Sequence, residues 1–216
     1  MKNPLPSALK TAFCLLAALQ AGCGDLLLDH PPHIIILREY ASEAPLCAAP
    51  LREQLVVDMP EVYAGLDTDR IAMLLEEREL QYLSDYRWDT PVPLLVQRGL
   101  VNALNGSGCF AGAGTGGYGL SAPYRLLAQI KRLHFLHGRE GVSFTAQFQL
   151  ALTLVDAGQG RIAGQRAFSA LREGLPADPY SLGAAMEEIL QQALREAVEW
   201  IRNSLEEKKT GERAPS

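Results

Sequence analysis

The segment GVSFTAQFQLALTLVD, residues 141–156, decides the fold. Apolar and polar side chains alternate along most of its length, and alternation of this kind places the apolar ones on one face of an extended strand. The pattern predicts an antiparallel strand that is buried on one face and long enough to bend. The apolar face consists of Val142, Phe144, Ala146, Phe148, Leu150, Leu152 and Leu154, and the polar face of Ser143, Thr145, Gln147, Gln149 and Thr153.

Two further strands flank this segment and complete a three-strand meander. Residues 124–136 precede it, and residues 162–171 follow it across a glycine turn at 158–160. The alternation slips between Ile130 and Leu133, which predicts a β-bulge in the first of the three strands. The second half of the chain is therefore predicted to be an antiparallel sheet.

Two amphipathic helices are predicted to cover this sheet. The run Asp89-Thr90-Pro91 is typical of a helix start, in which a capping side chain precedes a proline at the first helical position. Asp178-Pro179 has the same form and begins the last helix. Both helices carry an apolar stripe, which predicts that they pack on the sheet face that carries Phe144 and Phe148. The fold class is therefore α+β: a single domain with a mixed or antiparallel sheet and two helices on one face.

The first half of the chain gives weaker signals. Residues 34–37 and 55–57 are predicted strands. Residues 71–83 combine strong helix formers with an alternating pattern around a charged run, so the residues alone allow either a helix or a hairpin. The glycine-rich run 112–117 follows a helix, whereas a phosphate-binding loop follows a strand, and it is predicted to be a flexible loop.

The first two dozen residues have the form of a secretory signal: a short cationic start, an apolar core too short to span a bilayer, and small residues before Cys23. This arrangement resembles a bacterial lipobox, in which the cysteine thiol receives a diacylglyceryl group and becomes the new N-terminus. Gln20 departs from the pattern, because leucine is usual three residues before the cysteine. The alternative is an ordinary secretory peptide with an incidental Cys23.

The composition limits the partners and the cysteine chemistry. The chain has 20 basic and 25 acidic residues, and loss of Lys2 and Lys10 with the signal leaves a net charge of −7, which argues against a nucleic-acid partner. If Cys23 is acylated, Cys47 and Cys109 remain for the folded domain, and in an oxidising compartment they form either a disulfide or two separate buried thiols. No later apolar run is long enough to cross a membrane.

The first helix has a second, thinner apolar stripe. Leu94 and Val101 lie seven residues apart on its polar side, opposite the core stripe. Either the C-terminal helix covers them within the domain, or they meet a second protein, and Trp88 just before the helix could anchor either surface. The polar side also carries Gln97, Arg98, Asn102 and Asn105.

No catalytic or metal-binding constellation is expected. His134 and His137 are three apart on a predicted strand, which places them on opposite faces, so they cannot bind one metal ion together. His30 and His33 flank two prolines in the predicted tether, where solvated histidines are ordinary. Neither a nucleophile elbow nor a clustered acid pair is present.

Several short motifs follow the lipobox at Cys23 in a fixed order. They are Val56-Val57-Asp58, Tyr63-Ala64-Gly65-Leu66-Asp67, Arg70-Ile71-Ala72, Tyr86-Arg87-Trp88-Asp89-Thr90-Pro91, Tyr124-Arg125-Leu126, Val155-Asp156, Arg166-Ala167-Phe168 and Glu199-Trp200-Ile201. With these motifs the chain resembles, from about residue 34 to 201, the ABC-type transport auxiliary lipoprotein family, the lipoprotein partners of MCE-domain lipid-transport systems. The resemblance favours the hairpin at 71–83. The cysteine pair is not general in that family.

The resemblance implies a non-catalytic protein without a cofactor, held in the periplasm by an acyl anchor. Its implied partners are an MCE-domain protein, an inner-membrane permease and a cytoplasmic ATPase, which together move phospholipids or other hydrophobic molecules between membranes. Self-association is a further expectation. Gly24, rather than aspartate, follows Cys23, which favours an anchor in the outer over the inner membrane. The competing interpretation is an envelope-assembly lipoprotein that regulates cell-wall or outer-membrane machinery.

The expected organisation has four parts, with the folded domain in the third. They are a signal peptide at 1–22, an acylated tether at 23–33, the α+β domain at 34–205 and a disordered charged tail at 206–216.

Overall fold

The computed structural model describes residues 31–38, 46–116, 122–137 and 143–213, with side chains through residue 208. Contacts divide the chain into residues 1–32 and 33–216, and the fold below is that of the second unit. Within the described residues, the strands are β1 (His33–Ile35), β2 (Gln54–Val57), β3 (Glu61–Val62), β4 (Arg70–Leu75), β5 (Glu79–Trp88), β6 (Gly112–Thr115), β7 (Tyr124–His137), β8 (Phe144–Asp156) and β9 (Arg161–Leu175). The α-helices are α1 (Val92–Gly106) and α2 (Pro179–Arg213), with a short 3-10 helix at Ala64–Leu66.

The predicted meander forms one end of the sheet, with β9 as its edge strand. Strands β7, β8 and β9 pair antiparallel, and β8 alternates between buried and half-buried side chains along its whole length. The pairing of β7 with β8 shifts between Ile130 and Arg132, which confirms the predicted bulge. Alternation is sufficient to predict these strands because each buries one face only.

The other edge of β7 is shared by three short strands in succession. β2, β3 and β4 each pair with it in parallel, β4 continues to β5 and β1, and β2 continues to β6. The result is a curled mixed sheet of nine strands with two α-helices, which confirms the predicted α+β class.

Residues 71–83 form a hairpin, as the resemblance suggested. β4 and β5 pair antiparallel across a tight turn in which the amide of Arg78 donates to the carbonyl of Leu75 at 3.0 Å. Glu76 and Glu77, at the centre of the turn, have φ of 49° and 58°. Two consecutive left-handed residues are what a type I′ turn requires at its centre, and without glycine each costs about 1 kcal/mol or more.

Helix α1 begins one residue later than predicted. Pro91 is the N-cap and no side chain caps the helix, so the prediction that Asp89 or Thr90 would cap it is wrong. Asp89 instead accepts a 2.8 Å hydrogen bond from Arg98. The placement of Gln97 on the polar side was also wrong: it is buried, and its Nε2 donates to the carbonyl of Val57 at 3.0 Å.

Part of the predicted glycine loop is a strand. Gly112–Thr115 pairs in parallel with the whole of β2, from Gln54 opposite Gly112 to Val57 opposite Thr115. Both the amide and the carbonyl of Ala113 bond to the side chain of Asn105 at the end of α1. The expectation of a flexible loop is therefore wrong over these four residues, because pairing with β2 outweighs the low strand propensity of glycine.

Helix α2 starts where predicted but runs further. Asp178 caps it by accepting a 2.8 Å hydrogen bond from the amide of Ser181. The helix continues to Arg213, so the prediction of a disordered tail is wrong for residues 206–213. The reason is visible at Lys208, which forms an ion pair with buried Asp156 and lies beside the hydroxyl of Tyr124.

Helix α2 closes the core at both ends of the sheet. Near its start, the Cα of Gly183 faces Ile35 of β1 so closely that an added Cβ would lie 2.7 Å from the isoleucine side chain. Further along, the Trp200 ring meets that of Phe168 on β9 at 5.8 Å. Gly99 lets α1 approach Leu194 of α2 in the same way. The two helices therefore pack on one another and on the predicted face.

Candidate interaction surface

The structure joins Cys47 and Cys109 in a disulfide, with the two Cα atoms 5.1 Å apart. Backbone hydrogen bonds support the same contact, from Leu46 to the carbonyl of Ser107 and from Leu51 to that of Cys109, both at 2.8 Å. Ser107 is itself buried and donates to the carbonyl of Leu104. The bridge thus ties the segment before β2 to the end of α1.

The second stripe of α1 is only partly open. Leu94 is 41% exposed, whereas Val101 packs against the core. Helix α2 approaches α1 at Gly99, on another side of the helix, and leaves Leu94 accessible. Trp88 is 1% exposed and belongs to the core, so its suggested role as a surface anchor is wrong.

A more exposed apolar surface lies on the edge strand β1. Ile34 is 51% and Ile36 69% exposed, while the alternating neighbours Ile35 and Leu37 are buried. Tyr180, 65% exposed in the first turn of α2, lies on the helix side of the same strand. We call Ile34, Ile36 and Tyr180 the edge patch.

Aromatic contacts line the helix side of the edge patch. The ring of His33 stacks on Tyr86 at 5.1 Å, and Tyr86 meets Tyr180 edge-on at 6.4 Å, whereas Ile34 and Ile36 point to the other face of the strand. The sequence predicts this strand, but the exposure of Ile34 and Ile36 was not predicted. The available signal was the position of four consecutive apolar residues directly after the predicted tether, since an edge strand buries only every second one.

Arginines border the edge patch. Arg87 lies opposite Ile34 in the register of β1 and β5, and Arg70 lies opposite Arg87 in the next pair. The guanidinium of Arg70 sits 3.9 Å above the Tyr82 ring, and that of Arg87 lies 3.7 Å from Asp69. The surface thus combines aliphatic, aromatic and cationic side chains.

Buried carboxylates hold this end of the domain and the far end of α2. Glu187 accepts hydrogen bonds from both the amide and the Nε of Arg38, each at 2.8 Å. At the other end, the hydrogen bond from Lys208 lowers the pKa of Asp156 and favours its ionised form. These groups are engaged within the fold.

The two described histidines of β7 lie in different surroundings. His134 and His137 lie on β7 three residues apart; burial lowers the pKa of His134, and His137 packs edge-on against Phe144. Among the described residues, no three His, Cys, Asp or Glu side chains come together as metal ligands. Residues 1–30, which include His30 and the predicted lipidation site Cys23, lie outside the described part.

None of the described helices is both long enough and apolar enough to span a bilayer.

Comparison with known proteins matches this domain to a family model and to solved structures. The family model described as ABC-type transport auxiliary lipoprotein component matches residues 38–198. The fold is similar to the crystal structure of XCC0632 from Xanthomonas campestris, of family DUF330, with 22% identity, a TM-score of 0.75 and coverage of 82% of this chain and 99% of that chain. A second crystal structure, of an uncharacterized protein, has 15% identity, a TM-score of 0.55 and coverage of 75% and 96%. No curated protein matches the chain.

Proposed function

Because the chain belongs to the ABC-type transport auxiliary lipoprotein component family, we propose that it is the non-catalytic, lipid-anchored subunit of an MCE-associated transporter. The transporter moves phospholipid or another hydrophobic molecule between membranes. The family match over residues 38–198, nearly the whole folded domain, is the observation that carries this proposal. The MCE-domain protein, the inner-membrane permease and the ATPase are its proposed partners.

The proposed location is the periplasmic side of the outer membrane, with Cys23 as the acylated residue. The Cys47–Cys109 disulfide supports an oxidising compartment, because such bonds persist outside the cytoplasm. Labelled palmitate should enter the protein, and Cys23→Ala should abolish the labelling. A soluble, unlabelled protein cleaved at another residue would contradict the anchor.

Leu94 is the first candidate for contact with a partner protein or a second copy of the chain. It is a large apolar side chain exposed on a rigid helix, and residues of this kind commonly contribute on the order of 2 kcal/mol to an interface. Val101 packs against the core beside that surface, so it is not proposed as a contact residue. Leu94→Asp should therefore weaken association without unfolding the domain.

Co-purification from detergent-solubilised membranes tests the partners. Wild type should bring down the MCE-domain protein together with the permease and the ATPase, and Leu94→Asp should reduce their yield. Leu171→Asp is the matched control, because Leu171 is also a leucine and is more exposed than Leu94, 59% against 41%, but lies on β9. Recovery of cell-wall synthases or porin-assembly factors instead of the MCE system would support the envelope-assembly alternative.

A further inference from the structure

We propose that the edge patch, Ile34, Ile36 and Tyr180, docks the folded domain onto the surface of the membrane that holds the anchor. This proposal deepens the proposed function and rests on acylation at Cys23. It commits to one occupant of the patch, a lipid bilayer, and makes β1 a second, reversible membrane contact beside the covalent one.

The length of the connecting segment is the first argument. Nine residues, 24–32, separate the proposed acylated residue from His33, the first residue of β1, so the two are ten residue steps apart. Even fully extended, ten residues span only about 35 Å, close to the thickness of a bilayer core. The part of the domain nearest in sequence to the anchor is therefore held within about 35 Å of the proposed acylated residue. Its exposed surface is the edge patch.

The chemistry of the patch is the second argument. Ile34 and Ile36 project from the same side of an extended segment and expose more than half of their surface. Tyr180 supplies an aromatic ring with a polar hydroxyl, the kind of side chain enriched where bilayer and water meet. Arg87 lies opposite Ile34 in cross-strand register and Arg70 lies one strand beyond it, and long cationic side chains of this type can reach lipid phosphates while their stems cover apolar surface.

The local architecture allows such contact without unfolding. β1 pairs only with β5, and no other strand in the described part of the chain occupies its second edge. Ile35 and Leu37 are buried and Glu187 binds Arg38. These contacts fix the backbone that carries the outward side chains. Insertion of Ile34 and Ile36 would therefore leave the core contacts unchanged.

A fluorophore at position 36 tests the proposal in the full-length mature lipoprotein. Ile36→Cys is labelled with an environment-sensitive thiol probe, since the other domain cysteines are bonded to each other. The protein is reconstituted through its own anchor into vesicles of phosphatidylethanolamine and phosphatidylglycerol, with and without brominated acyl chains. The probe should be quenched by the bromolipids and shielded from aqueous iodide.

Two variants make the outcome specific. A probe at Leu171→Cys, on β9 at the opposite end of the strand order from β1, should show the reverse: iodide quenching and no bromolipid quenching. Burial of an isoleucine side chain favours transfer by at least about tenfold. Adding Ile34→Asp to the position-36 probe should therefore lower the ratio of docked to undocked protein by about that factor.

The possible results are distinguishable. Failure of the protein to incorporate palmitate or to remain with vesicles would refute the anchor, and with it the proposed function. Stable vesicle attachment with equal iodide quenching at positions 36 and 171 would overturn the docking proposal alone. Iodide protection at position 36 that grows with protein concentration and lacks bromolipid quenching would assign the patch to a second copy of the chain, and would likewise overturn it.

Discussion

Reduction of the Cys47–Cys109 disulfide should lower the stability of the domain mainly through the unfolded state. The two cysteines are 62 residues apart in the chain, so the bond closes a long loop in the denatured ensemble. Loss of that constraint corresponds to about 14 cal/mol/K, or about 4 kcal/mol at 25 °C. The folded state should change little, because the hydrogen bonds from Leu46 to Ser107 and from Leu51 to Cys109 hold the same segments together.

Urea unfolding followed by tryptophan fluorescence measures this effect, with Trp88 as a buried probe. Oxidised and reduced protein are compared, with Cys23→Ser in every sample to remove a third thiol. The free energy of unfolding of the reduced form should be lower by about 4 kcal/mol. In a thermal melt of the same samples, the reduced form should unfold about 8–16 °C lower. Its denaturant slope should rise, because an unconstrained denatured chain exposes more surface.

The control is the double variant Cys47→Ala/Cys109→Ala, which should resemble reduced wild type and be insensitive to reductant. A difference of less than about 1 kcal/mol between oxidised and reduced wild type, together with an unchanged slope, would refute the loop-entropy argument. A large loss with an unchanged slope would instead show that the bond acts within the folded state.

Three further changes should be measurable in the same assay. Asp156 has a lowered pKa in the folded protein, so its ionised pair with Lys208 contributes stability above pH 4 that is lost as the pH falls through the folded pKa. Asp156→Asn should be less stable than wild type at neutral pH by about 2 kcal/mol and should lose less stability in acid. The same loss of stability in acid as in wild type would contradict this account. Gln97→Leu should cost about 1–2 kcal/mol by removing the donor to the buried carbonyl of Val57, and a variant as stable as wild type would show that water replaces it. Glu77→Gly should raise the free energy of unfolding by about 1 kcal/mol because φ is 58° there, and destabilisation would mean that the glutamate side chain contributes more than the turn conformation costs.

Local periodicity predicted the elements whose surroundings repeat along the chain. The meander, its bulge after Ile130, the start of α2 and the separation of His134 from His137 all follow from alternation or capping within a few residues. These features depend on neighbours in sequence, which a single sequence displays directly.

The features that sequence reasoning missed depend on distant partners. Strand β6 forms because Gly112 to Thr115 pair with the edge of β2. These residues have little preference of their own for strand pairing. Gln97 is buried because a carbonyl 40 residues away needs a donor. Helix α2 extends past residue 205 because Lys208 has a buried carboxylate 52 residues away. The exposure of Leu94 depended on where α2 crosses α1, which Gly99 determines.

Helix α2 connects the point of attachment of the proposed tether to the rest of the domain. β1 has only three residues and pairs only with β5 among the described strands, so few backbone hydrogen bonds hold it. Its remaining support is made by α2: Ile35 packs at Gly183, and Glu187 binds Arg38. Lys208, near the other end of the same helix, pairs with Asp156 at the end of β8. The proposed tether at residue 33 is therefore connected to β5 by strand pairing and to α2 by the packing of Ile35 and the bonds of Arg38.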